Sequence, residues 1–158
     1  WSLNMNNEFM KRAIELSIQS VKNGGGPFGA VIVKDDKIIA EGSNQVTSTN
    51  DPTAHGEIVA IRNACKKLND FSLSGCEIYS SCEMCPLCLA ACYWSRIDKI
   101  YYANTREDAR KIDFDDSFIY SEINKNISER KIPMTQMMRD EALKAFELWD
   151  KKTDKVKY

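Results

Sequence analysis

The stretch from Cys76 to Arg96 limits the possible folds more than any other part of this chain. Cys76–Ser81 reads Cys-Glu-Ile-Tyr-Ser-Ser, which predicts a short buried strand. Pro86 follows, and because proline is favoured at the first helical position, we predict a helix from there to about Arg96. A buried strand followed closely by a helix favours an α/β fold, in which helices cover a sheet.

The rest of the chain repeats this alternation of helices and strands. Hydrophobic periodicity predicts helices over Asn6–Asn23, Asp51–Leu68 and Arg139–Asp150, and strands over Phe28–Val33, Ile38–Ala40, Asp98–Ala103 and Lys131–Met138. Hydrophobic residues make up 43% of the 158, which is ordinary for a globular domain. We therefore predict one domain over residues 1–158, a three-layer α/β/α sandwich with a mixed five-stranded sheet.

The charge balance bears on the class of partner. Lysine and arginine number 22 against 23 aspartates and glutamates, so the net charge is −1. Because proteins that grip nucleic acid through many phosphates carry a strongly basic surface, we expect no nucleic-acid partner. No apolar run approaches the roughly 20 residues that span a bilayer, so we expect no membrane association and a cytoplasmic location.

The only histidine of the chain and two cysteines form the pattern of a metal site. If Pro86 is the first helical residue, Cys85 caps the helix and Cys88 lies on the same face, three residues on. If Asp51 caps the preceding helix, His55 lies in its first turn. Imidazole and thiolates are preferred zinc ligands, and three protein ligands plus water make a catalytic zinc site. The spacing thus predicts two helix starts that converge on one zinc ion.

Glu57 decides between a catalytic and a structural interpretation of this site. It stands two residues after His55, off the ligand face, where it could reach a metal-bound water and carry its proton. The alternative is a closed site with Cys82 as a fourth ligand, typical of a non-catalytic, zinc-stabilised binding module. That alternative leaves Glu57 without a role. The remaining cysteines are predicted to be small core residues: Cys65, Cys76 and Cys92.

Three segments resemble the cytidine-deaminase superfamily: Pro27-Phe28-Gly29-Ala30, His55-Gly56-Glu57 and Cys85-Pro86-Leu87-Cys88. Within it, the segments Asn50–His55 and Phe114–Tyr120 are similar to bacterial guanine deaminases. Two positions depart from the superfamily pattern, since Met84 replaces a proline and Gly56 replaces alanine or valine. Neither substitution removes a proposed ligand.

The resemblance implies hydrolytic deamination of guanine to xanthine and ammonia with one zinc ion per subunit, held by His55, Cys85 and Cys88. It also implies that Glu57 carries a proton from water to N3 of the base, and that Asp116 is a second shuttle serving the departing amine. Four further residues would contact the purine: Phe28, Asn44, Trp94 and Tyr158.

The resemblance further implies a homodimer in which a C-terminal segment, about residues 139–158, is exchanged between subunits. Tyr158 would then reach the partner's site and help to exclude water from it. Three other substrates stay open within the same chemistry, namely cytosine, guanosine and tRNA adenosine. The near-neutral charge disfavours tRNA, and the Asp115-Asp116 pair favours guanine.

Overall fold

The computed structural model describes residues 2–158, with side chains from Asn4 onward. These residues form two compact units, one extending to Asp116 and the other comprising Ser117–Tyr158. Among the described residues, no helix is both long enough and apolar enough to cross a bilayer.

The first unit contains a mixed sheet of four strands with helices before and between them. Its elements in chain order are α1 (Ser2–Lys22), β1 (Gly29–Lys34), β2 (Lys37–Ser43), α2 (Val46–Thr49), α3 (Gly56–Leu68), β3 (Cys76–Cys82), α4 (Pro86–Trp94), β4 (Lys99–Asn104) and α5 (Arg106–Arg110). The strand order is β2-β1-β3-β4, in which β1 is antiparallel to β2 and β3, and β3 is parallel to β4.

Strand β1 shows how the sheet comes to be covered on both faces. Ala30 and Ile32 belong to a buried cluster with residues of α3 and α4, whereas Val31 and Val33 pack with residues of α1. Successive side chains of a strand point to opposite faces, so α1 lies on one face and α3 with α4 on the other. The predicted three-layer α/β/α sandwich is confirmed.

The second unit contains α6 (Ser117–Asn124), a short 3-10 helix (Ile127–Glu129) and α7 (Arg139–Lys151). The prediction of a fifth strand over Lys131–Met138 is wrong, because these residues form no strand pairing in the described structure. Pro133 lies inside this segment and lacks the backbone donor that a ladder needs. The unit leaves large apolar side chains exposed, among them Phe118, Ile123, Phe146, Leu148 and Trp149.

The start of α3 also differs from the prediction. Asp51 does not cap this helix; its side chain accepts hydrogen bonds from the Thr53 backbone N–H at 2.9 Å and hydroxyl at 2.6 Å. Aspartate commonly closes such local turns. The helix begins at Gly56, and its N-cap is His55, in extended conformation, four residues after the predicted cap Asp51. His55 therefore lies just before the first turn of α3, at its N-terminus, rather than within that turn.

Candidate metal centre and active site

His55, Cys85 and Cys88 come together although thirty residues separate the histidine from the first cysteine. Nδ1 of His55 lies 3.4 Å from the Sγ of Cys85 and 3.5 Å from that of Cys88. Zn–S bonds of about 2.3 Å and Zn–N bonds of about 2.0–2.1 Å at tetrahedral angles require an S···N separation of about 3.6 Å. The spacing and the donor set therefore fit one zinc ion.

The start of α4 positions both thiols. Cys85 is the N-cap, Pro86 follows at the start of the helix, and Cys88 is the third helical residue. The Cys85 sulfur accepts a hydrogen bond from the Cys88 backbone N–H at 3.5 Å. Two sulfurs thus lie at a helix N-terminus, where free N–H groups and the helix dipole stabilise negative charge.

Hydrogen bonds among these three side chains shift their proton affinities. The hydrogen bond from Cys88, followed by that from His55, lowers the pKa of Cys85 to about 4. The contact with Cys85, together with burial, raises the pKa of Cys88. The hydrogen bond to Cys85 also raises the pKa of His55, while the Pro52 carbonyl accepts from its ring. One thiol is already ionised near neutral pH, and a divalent cation would displace the remaining protons.

Cys82 lies outside this cluster of ligand atoms. It is the last residue of β3, and its Sγ is directed at the Thr105 carbonyl oxygen, 3.7 Å away. Burial raises the pKa of this thiol to about 11, so it stays protonated at neutral pH. The group that could hold a metal ion among the described residues therefore consists of three side chains. Cys76 and Cys92 are buried in the core, and Cys65 packs against it.

Glu57 lies in the first turn of α3 and is only 5% exposed. Its Oε2 is 3.3 Å from the Cys88 Sγ, beside the proposed ligands. Its Oε1 accepts a hydrogen bond of 2.8 Å from the hydroxyl of Ser80. Burial raises the pKa of the carboxyl, a change that suits a group that must both take up and release protons. Sequence reasoning missed Ser80, because a serine in a strand carries no signal of such a distant contact.

Asp116 and Asp115 face different surroundings. Asp116 is partly buried, and burial, together with the negative charge on Cys85, raises its pKa. The charge on Asp115 instead acts on Glu107 and Arg110 of α5, and Asp115 is exposed. Asp116 therefore interacts electrostatically with the cluster.

Phe28 and Asn44 lie on adjoining loops that flank the sheet. The Asn44 backbone N–H donates to the Phe28 carbonyl at 3.0 Å, and the Phe28 ring meets Phe114 edge-on at 5.0 Å. The Oδ1 of Asn44 accepts from the Val46 backbone N–H at 3.1 Å. This bond fixes the amide of Asn44 and leaves its Nδ2 as the donor for a ligand.

Trp94 and Tyr158 are exposed. Trp94 is the last residue of α4 and is 64% exposed, and Tyr158 ends the second unit and is 73% exposed. An aromatic side chain with this much free surface gains a large apolar contact when a ligand or another chain covers it.

Comparison with known proteins gives consistent matches. Residues 3–104 match the family model described as the cytidine and deoxycytidylate deaminase zinc-binding region. A guanine deaminase of Bacillus subtilis is 53% identical over 156 residues, covering 98% of this chain and 100% of the relative. A tRNA-specific adenosine deaminase of Aquifex aeolicus is 41% identical over 95 residues, covering 60% of this chain and 63% of the relative.

Solved structures agree with these matches. The crystal structure of guanine deaminase from Bacillus subtilis superposes with a TM-score of 0.93 at 52% identity, covering 96% of this chain and 98% of that one. A guanine deaminase from Nitrosomonas europaea gives a TM-score of 0.66 at 32% identity, covering 69% and 64%. With the His55, Cys85 and Cys88 cluster in place and well over half of the chain matched by the family model, this protein belongs to the cytidine and deoxycytidylate deaminase family.

Proposed function

We propose that this protein is a zinc-dependent guanine deaminase, which converts guanine and water to xanthine and ammonia. The observation that carries the proposal is how far the similarity extends. The family model ends at residue 104, and the likeness to the Aquifex tRNA deaminase covers 60% of the chain. The likeness to Bacillus guanine deaminase covers 98%, so it includes the region of Asp116 and the C-terminal unit.

His55, Cys85 and Cys88 are the proposed ligands of one zinc ion per chain. When bound, zinc lowers the pKa of a coordinated water and so supplies a nucleophile near neutral pH. Glu57 would take a proton from the attacking water and deliver it to N3 of the base as the water oxygen adds to C2. This role of Glu57 is supported by the placement of its Oε2, 3.3 Å from the Sγ of Cys88.

Asp116 is proposed to serve the other end of the reaction. The amino group of guanine lies on C2, between two ring nitrogens, so N3 and the departing nitrogen each need a proton. A single carboxyl would have to swing between these positions. Asp116, with a pKa raised by burial, is suited to donate a proton to the leaving amine, which departs as ammonia, and to take up the proton that the new hydroxyl on C2 loses as the carbonyl forms.

Four side chains are proposed to contact the purine. Phe28 and Trp94 offer aromatic faces to the flat base, and Asn44 offers its Nδ2 as a donor. Tyr158 closes the site from a partner subunit.

The proposed assembly is a homodimer that exchanges residues 139–158. Its support is the apolar surface that the C-terminal unit exposes, with Phe146 and Leu148 of α7 both more than 70% exposed. Such surface is normally covered by another chain. We expect light scattering to give the mass of a dimer, and a fully active monomer at micromolar concentration would contradict the exchange.

We propose a cytoplasmic location, because a reducing compartment keeps the cysteine ligands as free thiols.

A substrate panel tests the proposed activity. Zinc-loaded protein is assayed for ammonia release from guanine, guanosine, cytosine, cytidine, adenine and a tRNA anticodon stem-loop containing adenosine, with chelator-treated protein as the control. We expect the highest kcat/KM on guanine, and loss of turnover after chelation. If kcat/KM were higher on cytosine or on the stem-loop than on guanine, that compound would be the substrate instead. Zinc that stays bound with no turnover on any compound would favour a binding module.

A further inference from the structure

Ser80 is a buried hydroxyl on the face of the sheet that packs against the apolar core. Side chains alternate along a strand, so Ser80 of β3 shares its face with Cys76 and Ile78, which pack in the core against α3 and α4. Ser80 has no exposed surface. Burying a hydroxyl at such a position is unfavourable unless it is hydrogen-bonded, so its partners indicate why it is there.

The two hydrogen bonds of Ser80 define the direction of its proton. Its oxygen accepts a long hydrogen bond of 3.4 Å from the Cys82 backbone N–H, within the same strand. Its hydroxyl donates to Oε1 of Glu57 at 2.8 Å. A hydroxyl carries one proton, and here that proton points at Glu57. The donor therefore belongs to the sheet and the acceptor to the helix that also presents His55.

We propose that Ser80 is a positioning residue that holds Glu57 in the orientation needed for proton transfer. The inference rests on the proposed role of Glu57 as the proton carrier. A glutamate has three rotatable side-chain bonds, and the helix restrains only its backbone. The bond to Ser80 attaches Oε1 to a strand, so rotation about the last side-chain bond is restricted.

The two carboxylate oxygens then have separate tasks. Oε1 is occupied as the acceptor of the Ser80 hydroxyl, while Oε2 is turned toward the proposed ligands, 3.3 Å from the Cys88 Sγ. Because it faces the proposed ligands, Oε2 is the oxygen placed to exchange a proton with water or base. Without the hydroxyl, Glu57 would populate other rotamers, and fewer encounters with bound substrate would have Oε2 in place.

The neighbouring Ser81 offers a matched control. It is also buried, at 3% exposed, and its hydroxyl oxygen also accepts a backbone N–H bond, from Gly29 at 3.1 Å. It lies on the opposite face of β3 from Ser80, because strand side chains alternate. Replacing either serine by alanine removes one buried hydroxyl from the same strand, but only Ser80→Ala removes a hydrogen bond to Glu57.

The test compares Ser80→Ala, Ser80→Thr and Ser81→Ala for kcat, KM, zinc content and melting temperature. A hydrogen bond to a charged group is worth about a 10- to 100-fold change in rate when it orients the reacting group. We expect Ser80→Ala to lower kcat by about that factor, with KM within about twofold and zinc at one per chain. We expect Ser80→Thr to recover most of kcat, and Ser81→Ala to keep kcat near wild type with a similar change in melting temperature.

A double variant separates positioning from a general structural effect. If Ser80 acts only through Glu57, adding Ser80→Ala to Glu57→Gln will lower the residual rate no further. Equal losses of kcat in the two alanine variants, loss of zinc in Ser80→Ala, or no recovery in a folded Ser80→Thr would each overturn the inference. Inactivity of the wild type on guanine would instead count against the proposed substrate. The comparison would then be made on the base that the panel identifies.

Discussion

Replacement of Glu57 by glutamine is the most direct perturbation of the proposed mechanism. The amide has the shape of the carboxyl and keeps an oxygen that can accept the 2.8 Å bond from Ser80. It replaces the second oxygen, the one beside Cys88, by an NH2 group, which cannot take up a proton at neutral pH. The substitution therefore removes proton transfer. It leaves the packing of this side chain, which is only 5% exposed, unchanged.

The structure predicts a small effect of this substitution on stability and a large effect on rate. A hydrogen bond from Ser80 to a neutral amide is weaker than one to a carboxylate by about 1 kcal/mol. Burial disfavours the charged carboxylate, as its raised pKa indicates, so the amide regains part of that difference. We expect the free energy of unfolding to change by no more than about 1 kcal/mol. A general acid–base residue contributes about 10²–10⁴-fold in rate, which corresponds to about 2.7–5.5 kcal/mol of activation free energy.

The assay follows xanthine formation under saturating guanine, with zinc content and chemical denaturation measured on the same preparation. We expect one zinc per chain and a normal unfolding transition, with kcat lowered by at least about 10²-fold. If Glu57→Gln kept more than a tenth of the wild-type kcat with zinc in place, another group would carry the proton. The assignment of Glu57 as the shuttle would then be wrong.

Three further predictions test separate features of the structure. Cys82→Ser should keep one zinc per chain by metal analysis, because the Cys82 thiol points at Thr105 and lies outside the ligand cluster; zinc loss would favour the closed structural site. Asp116→Asn should lower kcat on guanine by about 10²–10⁴-fold while Asp115→Asn leaves it within a few-fold, and the reverse order would mean that the other aspartate is the shuttle. Gly42→Ala should lower the free energy of unfolding in denaturant titration by about 1–3 kcal/mol, because the added Cβ would overlap the backbone of α3; an unchanged value would mean that α3 can move away from β2.

The start of α4 could be predicted from sequence because helix capping is a local interaction. Cys85 as the N-cap, Pro86 at the start and Cys88 one turn on depend only on residues within that turn. The same reasoning failed at Asp51, since aspartate followed by proline suits a helix cap and a turn equally well. The chain uses Asp51 for a turn that closes on Thr53.

The four strands of the sheet were predicted correctly, whereas the predicted fifth strand was wrong, for a related reason. β1 and β3 have runs of residues that are buried on both faces, so their composition alone indicates a central strand. A segment at the edge of a sheet becomes a strand only when its backbone hydrogen-bonds to a neighbouring strand. Lys131–Met138 has no such pairing within the described residues.

The sequence by itself therefore determined which chemical groups the site contains, and the tertiary structure decided how they are arranged. A single histidine, a Cys-x-x-Cys pair and a glutamate two residues from the histidine suffice to indicate zinc and a proton carrier. The contact of Ser80 with Glu57 and the close approach of Gly56 to the Phe28 backbone join residues more than twenty positions apart. Such contacts leave no local trace, because they depend on how α3 packs across β1 and β3 and not on the propensity of any residue in them.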